Sequence, residues 1–371
     1  MKRTHIRTAA VRTSALGAAM TLGLSLAACG AANEQSSSTN DKASAGLSGT
    51  LNGAGSSAQQ AAQAAWKAGF QSANSGATVN YDPSGSGAGV EQFLAGAVAF
   101  AGSDAYLSDD QLSQSKKPCN GQPALEVPDY ISPIALVYNL PGVSKLQLSP
   151  QTVAKIFAGK ITTWNDPAIK SDNPGTKLPS TKITPVHRSD DSGTTNNFTD
   201  YLHQTAGSVW TNPAGETWPY KSGEGANGTS GVVEAVKNGV GSIGYADASQ
   251  AGSLGKASIK VGGSYVAPES AAAAKAADVS KPVPGRASND LALNIDRTTT
   301  QSGAYPLVLV SYVIACPSYK DAKTAKLVKS YLGYVTGNDG QAAAAKVAGS
   351  APLSTSLSGD ASGTVEQIAA K

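Results

Sequence analysis

Residues 183–204 read Ile183-Thr184-Pro185-Val186-His187, then Arg188-Ser189-Asp190-Asp191-Ser192-Gly193-Thr194, then Thr195-Asn196-Asn197-Phe198-Thr199-Asp200-Tyr201-Leu202-His203-Gln204. The first group, 183–187, has the pattern of a short strand. The last carries Phe198, Tyr201 and Leu202 on one helical face, which predicts a helix over 194–204. Strand, polar turn, helix is the building unit of an α/β fold. The same alternation runs through the chain. Strands are predicted at 131–139, 240–246 and 305–315, and helices at 57–71, 89–96, 150–158 and 321–335. The helix at 150 has the clearest boundaries, with Ser149 as N-cap, Pro150 in the first turn and Gly159 just past Phe157. Residues 248–290, rich in Ala, Ser, Gly and Lys, read as loops with one short helix, Ser270 to Ala277.

The N-terminus addresses the compartment. Lys2, Arg3, Arg7 and Arg12 precede an apolar stretch from Ala15 that ends in Leu26-Ala27-Ala28-Cys29. This is the pattern of a secretory signal, too short for a membrane span. A cysteine directly after the small residues marks a lipobox, so residues 1–28 are expected to be a lipoprotein signal peptide and Cys29 the lipidated first residue; a plain signal peptide is the alternative. Residues 29–46 lack apolar periodicity and read as a flexible tether. The chain has 29 basic and 26 acidic residues. Removing the leader takes away four of the basic ones and leaves 25 against 26, close to neutral. A near-neutral surface without a basic run gives no electrostatic basis for binding nucleic acid. Cys119 and Cys316 remain as an even pair in an oxidising compartment and are expected to form a disulfide, two buried thiols being the alternative. Neither has metal-ligand spacing, and no metal or other cofactor is expected.

About 325 residues follow the tether, more than one simple core accommodates, which favours two lobes. Four places in this part put a Gly/Ser/Thr/Asp cluster before an amphipathic helix: 53–57, 84–89, 101–104 and 188–194. A helix start leaves N–H groups without intrahelical partners and adds partial positive charge, and glycine lets a ligand approach the backbone. Ser and Thr add hydroxyl donors. One such cluster is ordinarily an N-cap; four of them, one with an arginine and one with an aspartate, suit a tetrahedral oxyanion.

The segments GAGSS (53–57), NYDPSGSGAGV (80–90), FAGSDAYLSDD (100–110), IFAGKITTWNDPAI (156–169), HRSDDSGTTNNF (187–198) and GSIGYAD (241–247) resemble the phosphate-binding proteins of bacterial phosphate ABC importers. The resemblance covers almost all of the chain from Leu47 and implies a two-lobed periplasmic-binding-protein fold of type II. Its ligand cleft lies between lobes joined by two crossing strands, placed here near 131–137 and 300–310. Lobe 1 is then 47–131 plus 307–371, and lobe 2 is 132–306. Carried over residue by residue, the resemblance implies phosphate contacts from Ser57, Ala58 (through its N–H), Ser86, Asp104, Arg188, Ser192, Gly193 and Thr194. Ser57 stands where threonine is common and Ala58 where phenylalanine is common; in the 84–89 loop Ser86 is preferred to Ser84.

The roles follow from charge. Arg188 offers a planar fork to two phosphate oxygens, and Asp190 is placed to orient it, its alternative being a solvated turn aspartate. A carboxylate at Asp104 makes sense beside an anion only as acceptor for a proton the ligand carries, which phosphate has and sulfate lacks. The alternative for Asp104 is a helix cap. A hydrolase is the main rival class. However, His187, Asp190 and Ser192 lie too close in sequence for a relay, and no GxSxG elbow is present. His187 and His203 read as structural. Gly239-Val240-Gly241-Ser242-Ile243-Gly244 fits GxGxxG but leads into a strand-like segment, the wrong context for a dinucleotide. A receptor for another oxyanion stays open. The expectation is a non-enzymatic, monomeric, lipid-anchored extracytoplasmic receptor that delivers inorganic phosphate to an ABC permease with its ATPase subunits.

Overall fold

The computed structural model describes residues 46–371; the leader, Cys29 and the tether as far as residue 45 lie outside the described residues. In chain order the elements are β1 (Ser48–Gly55), α1 (Gln60–Ala73), β2 (Gly76–Asp82), α2 (Ser86–Leu94), β3 (Phe100–Ser103), α3 (Asp109–Ser115) and the long β4 (Leu125–Tyr138). There follow β5 (Gln147–Leu148), α4 (Pro150–Phe157), α5 (Pro167–Asp172), β6 (Thr184–Arg188), α6 (Gly193–Ala206), β7 (Glu224–Ala226), α7 (Gly228–Asn238) and β8 (Ser242–Asp247). Next come β9 (Gly255–Val261), β10 (Ser264–Val266), α8 (Ser270–Asp278), β11 (Lys281–Pro282), β12 (Leu293–Asn294) and β13 (Val308–Ala315). The chain ends with β14 (Ser318–Tyr319), α9 (Ala322–Thr336), α10 (Asn338–Ala348), α11 (Thr355–Val365) and β15 (Ala369–Ala370).

The main sheet runs β2-β1-β3-β13-β4-β8-β6-β7, with β9 on the other edge of the end of β4. Its two halves meet on β4. Residues 125–133 of that strand pair with β13, and Ile134–Tyr138 pair with β8. Every residue of β4 is buried. Two prolines in a central strand would normally break the ladder. Here Pro133 sits where the partner changes. Pro128 adjoins a bulge, because Ser311 faces Tyr130 while Tyr312 faces Pro128, leaving Asp129 unpaired. A strand belonging to both halves is the structural basis of two lobes meeting at a cleft.

Each half has its own aromatic core. In the first, Ala62, Trp66 and Phe70 form the buried face of α1, and Phe70 meets Tyr331 of α9 edge to face at 5.2 Å. In the second, Phe198 of α6 stacks on Tyr245 of β8 at 4.4 Å and meets Phe157 of α4 at 4.8 Å. Cys119 and Cys316 form a disulfide with Cα atoms 4.9 Å apart, tying the turn after α3 to the end of β13.

The predicted N-cap of α4 is in place, Ser149 accepting from Thr152 N at 3.4 Å with Pro150 at the first helical position. Three expectations change. The helix expected from 57 starts at Gln60, so Ser57 and Ala58 lie in the turn before it. β13 starts at Val308, three residues later than the strand expected over 305–315. Residues 248–290 hold β9 and β10 as well as α8. Ala257, Ile259 and Val261 alternate inward along β9, a strand signal diluted by the surrounding Gly, Ser and Lys. No helix among the described residues is long and apolar enough to cross a membrane.

Candidate functional site

Arg188 ends β6 and is 2 % exposed. Its Nε donates to Asp190 Oδ1 at 2.7 Å and its Nη2 to Asp190 Oδ2, while its own N–H donates to the Tyr245 hydroxyl at 3.1 Å. Asp190 Oδ1 also accepts from Gly228 N, 3.0 Å away at the start of α7. Burial pushes the Asp190 carboxyl up, but the hydrogen bonds and charge of Arg188 and the Gly228 N–H outweigh it and hold the group below its ordinary range. Opposite sits Gly85, with φ of +104°, where a Cβ would lie 2.7 Å from Asp190 Oδ2. Only glycine lets the 84–86 turn come so close.

Asp104 lies just past β3 and is 2 % exposed. It was expected at a helix start. The helix instead begins at Asp109, capped by Ser108 in a capping box with Gln111, so Asp104 is no cap. Its Oδ2 accepts from Thr194 Oγ1 at 2.9 Å, and its Oδ1 accepts from the Ser311 hydroxyl. Its N–H donates to Ser86 Oγ at 3.2 Å, and its carbonyl accepts from Asn197 Nδ2 at 2.7 Å. Burial raises the Asp104 carboxyl, and the hydroxyls of Ser311, Ser56 and Thr194 with the charge of Arg188 draw it back down. Gly193 opens α6 directly against this residue. A Cβ there would meet Asp104 Cβ, Ala105 N and Ser86 Oγ, each at 2.8 Å.

Ser192 is the N-cap of α6, accepting from Thr195 N at 3.2 Å. Ser57 Oγ accepts from Thr229 N at 3.0 Å and lies 3.1 Å from Thr229 Oγ1. The Ala58 N–H donates to Ser56 Oγ at 3.1 Å. Gln250 Nε2 reaches back to Ser57 O at 2.8 Å. Ser57, Ser86, Asp104, Arg188, Ser192 and Thr194 are all buried, and the two sheet halves bring their loops into one place.

Several residues at this junction were not picked out from the sequence. Thr229 belongs to a fifth Gly/Ser/Thr cluster, Asn227-Gly228-Thr229-Ser230-Gly231, which caps and opens α7 and whose composition matches the other four. Ser311 lies inside an apolar strand and carries no local signal. Glu216, on the loop before β7, faces Gly87 across the cleft; burial, then the like charges of Asp191 and Asp104, push its carboxyl up to about 7. Beside Asp104 a cavity of about 460 Å³ is lined by Asn197, Glu216, Arg297 and Tyr312, among others.

His187 is stacked on Trp218 at 4.9 Å, with its Nδ1 2.8 Å from Arg188 O. Asp190 is committed to Arg188 and Ser192 to the helix cap. The 239–244 glycine run turns into β8 and not into a helix. Among the described residues no group of three or more His, Cys, Asp or Glu side chains is placed to hold a metal ion. Two lobes, the buried guanidinium of Arg188, converging hydroxyls and helix starts, and the buried carboxylate of Asp104 form an arrangement chemically suited to a small oxyanion that carries a proton.

The sequence profile of the PBP superfamily domain matches residues 40–339. The phosphate-binding protein PstS 3 of Mycobacterium tuberculosis (strain ATCC 25618 / H37Rv) is 40 % identical over 293 residues, 76 % of this chain and 77 % of that protein. PstS 3 of Mycobacterium leprae (strain TN) is 36 % identical over 337 residues, 87 % of this chain and 90 % of that protein. Among solved structures, a phosphate-binding protein from Stenotrophomonas maltophilia superposes with a TM-score of 0.67 at 20 % identity, covering 85 % of this chain and 94 % of that one, a likeness of fold. The chain belongs to the PBP superfamily and, within it, to the family of PstS phosphate-binding proteins.

Proposed function

We propose that this protein captures inorganic phosphate outside the cytoplasm and delivers it to an ABC importer, without catalysing a reaction. The observation that carries the reading is Asp104, a buried carboxylate that shares its junction with Arg188, Ser86 and Thr194. Its placement is unfavourable for a fully deprotonated anion and favourable for one that donates a hydrogen bond. Phosphate near neutral pH has that proton; sulfate does not.

In this reading Ser57, Ser86 and Ser192 supply hydroxyls and Gly193 a backbone N–H, while the Thr194 hydroxyl and the Ala58 N–H turn to the ligand from their present bonds to Asp104 and Ser56. Arg188, oriented by Asp190, supplies the full positive charge. Lobe 1 (47–131 plus 307–371) and lobe 2 (132–306) close on the ligand as a hinge, and the closed form docks on the permease. Residues 1–28 direct export, Cys29 carries the lipid, residues 29–46 are the tether, and the receptor acts as a monomer. A hydrolase reading is disfavoured because His187, Asp190 and Ser192 each have another structural task.

Calorimetry of the mature protein with phosphate and with sulfate tests the proposal. Phosphate is expected to bind and sulfate to bind far more weakly; comparable sulfate binding, or no phosphate binding, would overturn it.

A further inference from the structure

β13 reads Val308-Leu309-Val310-Ser311-Tyr312-Val313-Ile314-Ala315, and every one of these residues is buried. Ser311 is the one small hydroxyl in the run, and it is 0 % exposed. A hydroxyl placed there is costly unless it finds a partner. Its partner is Asp104 Oδ1. The bulge between Ser311 and Tyr312 falls at this position, and bulges re-aim the side chains beside them.

The two hydroxyls bonded directly to the Asp104 carboxylate differ in origin. Thr194 arrives on α6, from the half of the sheet beyond the cleft, so its bond to Oδ2 depends on the halves being together. Ser311 is on β13, which pairs directly with β3, the strand that leads into Asp104. Its bond is internal to one half and persists when the cleft opens. Of the two hydroxyls bonded directly to the carboxylate, Ser311 is therefore the one that stays on Asp104 in the ligand-free, open receptor, with Ser56 of the same half also drawing the carboxyl down.

Asp104 needs such a donor, because most of the charged or titratable groups around it are acidic. Tyr81 faces it from β2, Asp129 from β4, Glu216 from the loop before β7 and Asp247 from the end of β8, against Arg188 from β6 and Arg297, which lines the same cavity and bonds Asn197. Burial favours a protonated Asp104, and an ionised Asp104 pushes the neighbouring acids up in turn. A protonated carboxyl could donate to sulfate and would lose the reason to prefer phosphate.

Resting on the proposed phosphate reading, we propose that Ser311 is a specificity-determining residue. By donating to Asp104 Oδ1 it keeps the carboxylate an oriented acceptor, so the site admits an oxyanion that still carries a proton and rejects one that does not. Ser311 acts through Asp104 and is a positioning residue.

The test is calorimetry of the mature protein with phosphate and sulfate at about pH 5.5 and about pH 8, because losing a donor that draws the Asp104 carboxyl down favours its protonated form most at the lower pH. In Ser311→Ala the phosphate-to-sulfate preference is expected to fall by about tenfold at the lower pH and to recover at the higher one, the size set by one hydrogen bond to a charged group. Added to Asp104→Asn, Ser311→Ala is expected to change the preference no further. The near-isosteric Ser311→Cys, whose thiol donates weakly, gives the same readout should the alanine variant not fold. A preference equal to wild type at both pH values overturns the inference, as does an equal loss of both affinities at both pH values. Failure of the wild-type protein to bind phosphate would instead overturn the functional reading on which it rests.

Discussion

Arg188 and Asp190, two residues apart in sequence, form a buried two-point ion pair whose carboxylate is also held by the Gly228 N–H. The aspartate fixes the guanidinium plane from behind and leaves its remaining N–H groups for a ligand. Asp190→Ala removes the partner of a buried cation. It is expected to cost roughly 3–5 kcal/mol of folding stability, and phosphate affinity is expected to drop at least about tenfold. Urea denaturation and calorimetry read the two effects; unchanged affinity would show that the orientation of Arg188 does not matter to binding.

Asp104→Asn keeps an acceptor and adds a donor. Phosphate can still give its proton to Oδ1, while sulfate gains a hydrogen bond from Nδ2. The expected result is retained phosphate binding with the preference over sulfate reduced by about tenfold or more, one charged hydrogen bond in size. A preference equal to wild type would remove Asp104 from the selectivity argument.

Gly193→Ala places a methyl 2.8 Å from three atoms of the opposite half, in Ser86, Asp104 and Ala105. Two of the three belong to positions fixed by strand and backbone, so the halves must separate to accept it. Phosphate affinity is expected to fall by about a hundredfold while the thermal midpoint changes little, because each half retains its own core. A midpoint loss without an affinity loss would place the strain inside α6.

Asp247, at the end of β8, receives the hydroxyl of Tyr130 and the N–H of Ser249 on Oδ1, and its Oδ2 is buried without a partner. Burial raises its carboxyl from 3.8 to about 6. The folded state therefore holds this proton more tightly than the unfolded chain. Below 3.8 the group contributes no difference, stability falls as pH rises from there to about 6, and above that the full penalty applies. A shift of this size corresponds to on the order of 3 kcal/mol. Asp247→Asn, with Nδ2 able to use the buried Ser132 hydroxyl, is expected to stabilise the protein at pH 8 and to have little effect at pH 4. Denaturant midpoints across that range check it; a pH-independent difference would mean that Asp247 does not titrate in this window.

The unit from β6 to α6 was legible because its signals are local: a strand pattern, a polar turn and the apolar face of Phe198, Tyr201 and Leu202. Cys119 and Cys316 were legible as an even pair in an exported chain. Asp104 was found as a residue but misplaced as part of a helix start, since FAGSD looks like a cap while the true cap, Ser108, lies four residues on. Ser311 was out of reach because its meaning depends on a partner 207 residues away and on a bulge that composition does not encode. The bulge at Asp129 is a relationship between two strands, not a property of either. β9 is obscured for a different reason: the inward alternation of Ala257, Ile259 and Val261 is present, but the Gly, Ser and Lys around it give the segment the composition of a loop.

The pairing of β13 with both β3 and β4 also sets an order of events in folding. The half of the sheet containing β6, β7 and β8 is made of contiguous chain and needs only the end of β4 to complete it. The other half cannot close until β13, about two hundred residues after β3, has been supplied, and such distant pairings form slowly. Once exported, the chain is expected to fold from the middle outward, with pulse-labelled amides of β6 and β8 protected before those of β1 and β3; the reverse order would show that β1, β2 and β3 are stable before β13 arrives. The proposed anion site sits on the seam expected to close last, so a receptor able to bind would, by construction, be one whose folding is already finished.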